Sequence, residues 1–152
     1  IQEILRFNRP ALLTLSRPGA ITTVLLQAVD GEQLVLQTAT GLKSLQVEQL
    51  SQYWTGEYQL LLSLPAATVF TVRPGQQNTA VRWLREQVAL YDGETSSSVQ
   101  TDLYDRELQR RVEQFQYRHG LEADGVVGGK TLTLLQNLKP AAGTPLLLKD
   151  QG

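Results

Sequence analysis

The sequence has 152 residues, a net charge of −1 and 41% hydrophobic residues. This length accommodates one ordinary domain or two small ones, and the hydrophobic fraction is sufficient for a folded core. The chain contains no cysteine and one histidine, which excludes disulfides, thiolate nucleophiles and the usual zinc sites. Residues 1–73 carry five basic and five acidic side chains, and residues 74–152 carry nine and ten. Neither half is therefore a basic nucleic-acid-binding module.

The relation of the chain to a membrane follows from its apolar runs. No run reaches the ~20 residues that a membrane-spanning helix needs. The chain begins at Ile1 without an initiator Met or a signal sequence. We therefore interpret it as part of a longer protein, which contacts a membrane only through segments outside this chain.

The first half of the chain has the patterns of short β-strands. Apolar or alternating runs predict strands at residues 10–15, 21–29, 33–38, 45–47, 58–64 and 68–72. Asp30-Gly31 lies between two of these runs, which predicts a tight hairpin. Residues 47–54 are predicted to form one or two helical turns. We expect a small twisted antiparallel sheet or half-barrel.

The apolar period changes to that of helices after Arg73-Pro74-Gly75. Asn78 is predicted to cap a first helix, and Asp105 a second that ends before Gly120. A third helix is expected at about residues 131–138, with Thr131 able to cap it. We therefore predict an α+β fold, in which a small antiparallel β unit is followed by a three-helix bundle. Its segments are a β-rich unit at 1–73, the bundle at 74–140 and a tail at 141–152 that packs loosely or docks elsewhere.

The residues favour binding over catalysis. No Gly-x-Ser-x-Gly nucleophile motif occurs, and His119 lies at a predicted helix end, where a cation complements the helix dipole. Asp92-Gly93 and Asp124-Gly125 are typical of turns rather than of calcium or phosphate loops. We expect a non-enzymatic binding or scaffold module that uses no metal or cofactor.

The second half resembles the three-helix peptidoglycan-binding domain of bacterial wall enzymes. The resembling pattern runs from Tyr104 to Leu135, about 30 residues. Within it, Phe115-Gln116, Gly120-Leu121, the run 124–128 (Asp-Gly-Val-Val-Gly) and Thr131 recur at that family's spacing. Glycine at positions 120 and 125 suits backbone angles that other residues resist. The resemblance implies non-catalytic peptidoglycan binding between the loop that joins the first two helices and the loop at 124–131.

Motifs in the first half of the chain make the resemblance more specific. The runs 8–15 and 54–62 and the hairpin at 30–31 are similar to the periplasmic region of GspA/ExeA proteins of type II secretion. In that family, a β-rich portion related to cysteine peptidases precedes the peptidoglycan-binding domain. This chain resembles a degenerate, partial version, because the cysteine-bearing half is missing and no histidine occurs in residues 10–15.

The resemblance also implies a cellular context. Members of this family are bitopic inner-membrane proteins with a cytoplasmic ATPase domain and a periplasmic wall-binding part. They act with a GspB partner to help the secretin assemble across the wall. For this chain, the implied features are a periplasmic location, peptidoglycan as ligand and a GspB-type partner, with self-association also open.

Candidate ligand-binding residues come from the loops of the resembling region. Tyr104 can stack on a sugar or peptide, Arg118 can pair with a stem carboxylate, and Asp124 can pair with an amine. Each has a structural alternative: Tyr104 as a residue at the rim of the core, Arg118 as a helix C-terminal cation and Asp124 as a turn former. The predicted peptidoglycan-binding residues are Tyr104, Asp105, Arg118, Asp124, Gly125, Gly128 and Thr131.

A second hypothesis stays open from the sequence. The β unit can act as a scaffold that binds a protein partner through an exposed edge strand, with wall binding secondary.

Overall fold

The computed structural model describes residues 1–61, 71–95 and 101–148. The chain divides into two compact units, one formed by Ile1–Leu62 with Gly143–Gly152 and the other by Ser63–Ala142. The predicted α+β class is confirmed, with an antiparallel sheet in the first unit and helices in the second. In chain order the elements are α1 (Gln2–Phe7), β1 (Ala11–Arg17), β2 (Ala20–Asp30), β3 (Gln33–Thr38), β4 (Gly41–Gln46), α2 (Val47–Leu50), β5 (Trp54–Leu60), α3 (Thr79–Tyr91), α4 (Arg106–Arg118) and α5 (Gly129–Leu138).

The described part of the first unit is built on a five-stranded sheet in the order β4-β3-β2-β1-β5. All four pairings are antiparallel. The predicted hairpin is confirmed, because Asp30 pairs with Gln33 across a two-residue turn that begins at Gly31 with a φ of +57°. Glycine suits this position because it adopts positive φ without a steric penalty.

One face of the sheet forms the core of the first unit. Alternate residues of β1 (Ala11, Leu13 and Leu15) are buried, as the period of two requires. The sheet packs against Ile4 of α1 and Leu50 of α2. α1 was not predicted, because a six-residue helix gives only a short periodic signal and no side chain caps its N-terminus.

The segment 143–148 packs with the β unit, not with the preceding helices. Leu147 is fully buried in the sheet core, and its carbonyl oxygen accepts a hydrogen bond of 2.9 Å from the Val29 N–H. The Leu148 N–H donates to Asn8 Oδ1 over 2.8 Å. The described part of the predicted tail is thus docked on the sheet.

Several predicted boundaries differ from the structure. The strand expected at 45–47 is β4, which begins at Gly41 and ends at Gln46. The helical turns expected at 47–54 end at Leu50, and β5 begins at Trp54, four residues before the strand predicted at 58–64. Residues 62–64 of that strand lie outside the described residues, as does most of the strand predicted at 68–72. Val72 is described, and it forms an antiparallel bridge with Val127.

The second unit contains three helices among its described residues, at about the positions that the sequence indicated. The caps predicted for the first two helices are confirmed. Asn78 Oδ1 accepts from the Val81 N–H at 3.2 Å, and Asp105 Oδ1 accepts from the Leu108 N–H at 2.8 Å. The apolar faces of the three helices supply a buried core, which includes Leu84, Val88, Leu108, Val112, Phe115 and Leu135.

The start of α5 corrects one prediction. The helix begins at Gly129 with Gly128 in the N-cap position, so Thr131 lies inside the first turn and does not cap it. Thr131 is 4% exposed, and its hydroxyl oxygen accepts a hydrogen bond from Gln116. The N-cap position, three residues before Thr131, is taken by Gly128, which has no side chain to cap the helix.

No helix in the described ranges is both long and apolar enough to cross a membrane.

Candidate functional site

The turn that follows α4 is held in place by one buried amide. Gln116 is 2% exposed, and its Oε1 accepts from the Gly125 N–H at 2.9 Å. Its Nε2 lies 2.9 Å from the Val126 carbonyl oxygen and 3.2 Å from both Asp124 Oδ1 and Thr131 Oγ1. The side chain thereby connects α4, the turn and the first turn of α5, which fixes the backbone of the turn before any ligand arrives.

Gly125 lies at the centre of this turn and is tightly enclosed. Its φ is +72°, and a Cβ at this position would lie 2.9 Å from Gln109 Cγ and 3.3 Å from Glu113 Oε1. Its carbonyl oxygen accepts a hydrogen bond of 2.6 Å from the Tyr104 hydroxyl. Both the backbone angle and the available space therefore require glycine here.

Tyr104 contacts the turn through its hydroxyl group, and its ring is too buried to stack on a ligand. It is 2% exposed. Burial, followed by the charges of Glu113 and Asp124, raises the pKa of its phenol, so the hydroxyl remains a donor to Gly125. The prediction that its ring stacks on a ligand is therefore wrong, because the ring is packed in the core. Tyr104 therefore has a structural role, and it lies within the core and not at its rim.

A cavity of about 270 Å³ opens between this turn and the start of α5. Asp124 is exposed at its edge, and Asp124 Oδ1 accepts from the Val126 N–H at 2.8 Å, which forms the turn that the sequence indicated. Its lining residues are Gln116, Leu121, Glu122, Asp124, Val126, Gly128, Gly129, Lys130 and Thr131.

The chemistry of the lining is mixed in charge. Asp124 and Glu122 supply carboxylates that can bind an amine, and Lys130 supplies a cation. The first turn of α5 also lines the cavity, and the N–H groups of a helix's first turn have no partners within the helix. That end of a helix favours carboxylates. The cavity can thus receive a ligand that carries both a carboxylate and an amine.

The structure brings together four of the seven predicted residues at or beside the cavity. Asp124, Gly128 and Thr131 line it, and Gly125 forms the turn at its edge. Arg118 is exposed in the last turn of α4 and is not among the lining residues. Its predicted contact with a ligand in this cavity is therefore not supported by its position.

Asp105 has a structural role in the described residues. Besides capping α4, its Oδ2 lies 2.7 Å from Nη2 of Arg85, whose side chain is 3% exposed. Burial alone would raise the pKa of the Asp105 carboxyl, but the hydrogen bond from the Leu108 N–H and the Arg85 guanidinium outweigh burial and lower the pKa. The carboxylate links the start of α4 to α3 and is not a cavity residue.

The residue that sequence reasoning missed is Gln116. The sequence contained a signal for it, since Gln116 follows Val112 by four residues and therefore lies on the apolar face of α4. A polar side chain on a buried face requires hydrogen-bond partners. Those partners come from a turn eight to ten residues further along the chain, which periodicity cannot locate.

His119 has aromatic and backbone contacts at the end of α4. Its ring lies 4.1 Å from the Phe115 ring and 5.5 Å from the Tyr91 ring, measured between centroids, and its Nδ1 is 2.9 Å from the Phe115 carbonyl oxygen. Among the described residues, no group of three or more histidine, aspartate or glutamate side chains is placed to hold a metal.

The helical unit matches a class of wall-binding domains. Residues 77–135, which include α3, α4 and the turn with its cavity, match the family described as a putative peptidoglycan binding domain. The resemblance that the motifs of residues 104–135 indicated is confirmed.

The comparison with whole proteins gives a secretion context. Over 151 residues, 96% of its length, the chain is 30% identical to general secretion pathway protein A of Aeromonas hydrophila, and it spans 26% of that protein. It also resembles a crystal structure of a periplasmic domain of the EpsAB fusion protein of the Vibrio vulnificus type II secretion system. The identity is 32% and the TM-score 0.59, over 95% of this chain and 63% of that one. The predicted resemblance to the periplasmic region of GspA proteins is confirmed.

Proposed function

We propose that this chain binds peptidoglycan without catalysing a reaction, in the periplasm, as part of a type II secretion factor that helps the secretin assemble across the wall. The observation that carries the proposal is the cavity at residues 116–131, which lies within the stretch that matches the peptidoglycan-binding family. The secretion role rests on the similarity to the two secretion proteins.

The lining of the cavity suits a wall peptide. Stem peptides of peptidoglycan carry free carboxylates and amines, and the cavity has acidic side chains together with a lysine and the first turn of a helix. The turn is preformed by Gln116, so a ligand does not have to order it on binding.

A binding role without catalysis is favoured by the residues available. The sequence has no cysteine, and its single imidazole is packed on Phe115 and bonded to a backbone carbonyl. We expect the purified chain to release no soluble fragments from isolated sacculi. Chromatographic detection of released muropeptides would contradict this part of the proposal.

The binding site is tested by filling the cavity. Gly128 lines the cavity, has a φ of −95° and has nothing within 4 Å of an added Cβ, so valine fits the backbone and we expect its side chain to reduce the space for a ligand. In co-sedimentation of residues 1–152 with purified, protein-free sacculi, we expect Gly128→Val to weaken binding about ten-fold or more, which corresponds to roughly 1.4 kcal/mol.

Arg118→Ala is the matched control, because Arg118 is exposed and lies outside the lining. It should sediment as the unaltered chain does, and circular dichroism should show that both variants are folded. Equal binding by Gly128→Val and the unaltered chain would contradict the cavity as the site.

A second function is favoured by the edge of the sheet. β4 is an edge strand of the described sheet, and its Leu42 is 62% exposed. Exposed strand edges pair with other chains, and the similar EpsAB protein is a fusion. We infer that the β unit binds a GspB-type partner through β4.

Capture of the periplasmic part of a GspB-type protein by the full chain tests this inference. Leu42→Glu places a charge at the edge and should abolish capture, whereas Gln52→Glu, an exposed change in the same unit, should not. Capture that survives Leu42→Glu would remove β4 as the contact.

A further inference from the structure

A second group of polar side chains lies on α4, outside the cavity. Arg106, Gln109, Arg110 and Glu113 line a surface depression of about 450 Å³. Their spacing of three and four residues places them on one face of the helix. The predicted binding residues do not include any of these four.

The two arginines of this face, Arg106 and Arg110, are accessible to a ligand. Both are exposed, and in the described ranges neither forms an ion pair, whereas Arg82, Arg85 and Arg111 of the same unit each pair with a carboxylate. Arg106 is also the first residue of α4, where a cation opposes the helix dipole. The positive charge of Arg106 therefore does not stabilise the helix.

The positions of the arginines favour an anion. Two guanidinium groups one turn apart present several N–H donors to a planar acceptor such as a carboxylate. The positive end of α4 adds to their field. At the other end of the depression, Glu113 accepts a hydrogen bond of 2.8 Å from Gln109 Nε2 and retains acceptor sites for an amine.

The depression and the cavity share a wall. Gln109 and Glu113 line the depression and lie against Gly125, whose missing Cβ allows their close approach. The N–H of Gly125 binds Gln116, which lines the cavity. One turn of backbone thus separates the two sites. A polymer with repeated peptide branches can fill both at once, which strengthens binding without requiring either site to be tight.

We propose that Arg106 and Arg110 form a second peptidoglycan subsite, which binds a stem-peptide carboxylate next to the branch held in the cavity. This inference rests on the proposed function. It extends that function by naming a carboxylate as the ligand of a second surface, which lies outside the cavity.

The test uses residues 1–152 and two preparations of sacculi, one native and one with its carboxyl groups amidated. We expect the double variant Arg106→Gln, Arg110→Gln to bind native sacculi about five-fold more weakly at low salt, as exposed charge pairs of modest strength predict. Its binding should also depend less on salt. On amidated sacculi it should bind as the unaltered chain does.

The control is Arg73→Gln, Arg118→Gln, which removes the same charge from exposed positions of the same unit that line neither site. Equal binding by the two double variants would overturn the inference. An equal loss on native and amidated sacculi would also overturn it, because the arginines would then recognise something other than a carboxylate, as a contact with an acidic protein would require.

Failure of the inference is distinguishable from failure of the proposed function. If Gly128→Val abolishes binding and the arginine variant does not weaken it, only the second subsite is wrong. If the unaltered chain does not sediment with native sacculi, the proposed function fails and the second subsite fails with it.

Discussion

Gly125 is the most constrained residue of the candidate site. A side chain there meets a φ of +72° and a contact of 2.9 Å with Gln109 Cγ, whereas Gly128 has an ordinary φ and open space. We expect Gly125→Ala to lower the free energy of unfolding of the helical unit by about 1–3 kcal/mol, from backbone strain and overpacking. Chemical denaturation followed by circular dichroism measures the change.

Gly128→Ala is the control for this substitution, because the same added methyl group meets no neighbour. Its free energy of unfolding should stay within about 0.5 kcal/mol of that of the unaltered chain. Equal effects of the two substitutions would contradict the enclosed geometry of the turn.

At this scale, the sequence predicted residues whose role is local. Gly125 was predicted from the turn chemistry of Asp-Gly, which acts over two residues. Tyr104 and Thr131 were assigned contacts that the structure does not give them, because their partners are Gly125 and Gln116, which are distant in the chain. Side-chain contacts across such separations depend on how the helices pack.

The start of α4 depends for its stability on the charge of one carboxylate, that of Asp105. Because the Asp105 carboxyl has a pKa lowered below its ordinary 3.8, its ionised form stabilises the folded state above that value. This contribution is lost as the pH falls through the lowered pKa. We expect Asp105→Asn to cost about 1–2 kcal/mol near neutral pH, since Arg85 then loses its charged partner.

The pH dependence separates this effect from a simple packing defect. Denaturation at several pH values between about 7 and about 2 should show the difference between Asp105→Asn and the unaltered chain shrinking as the pH falls. Asp30→Asn, at the β2–β3 turn, serves as control and should unfold as the unaltered chain does. A difference that stays constant with pH would show that the charge is not responsible.

The segment 143–148 is the second element with a testable role. Leu147 is fully buried in the sheet core, whereas the next residue, Leu148, is 41% exposed. We expect Leu147→Ala to destabilise the β unit by about 2–4 kcal/mol, as loss of a buried leucine does. Leu148→Ala should cost under about 1 kcal/mol in the same denaturation experiment. Similar costs would contradict docking of this segment.

Elements with a strong period or a strong cap were predictable. β2, β3, α3 and α4 have clear alternation, turn or capping residues, and these signals act within a few residues. α1 lacks a side-chain cap, and the docking of the segment 143–148 depends on a pairing with Val29 more than 100 residues earlier. α1 therefore had no strong local signal, and the docking of the segment 143–148 depends on a contact that is distant in the sequence.

For the whole molecule, composition and motif together defined its class. The α+β organisation followed from the change of period near residue 74, and the domain family followed from a motif of about 30 residues. The structure adds a cavity lined by the motif residues and a neighbouring arginine pair on α4. The sequence could not place these two next to each other, because the turn that separates them is positioned by Gln116.

The measurement that tests the central claim most directly is a nuclear magnetic resonance titration of isotope-labelled residues 1–152 with soluble muropeptides. We expect saturable shifts of the backbone amide signals of Asp124, Gly128, Gly129 and Thr131, which line the cavity. The amides of β1 to β3 should not move. Shifts confined to the sheet, or none at muropeptide concentrations that saturate known wall-binding domains, would contradict peptidoglycan binding at this cavity.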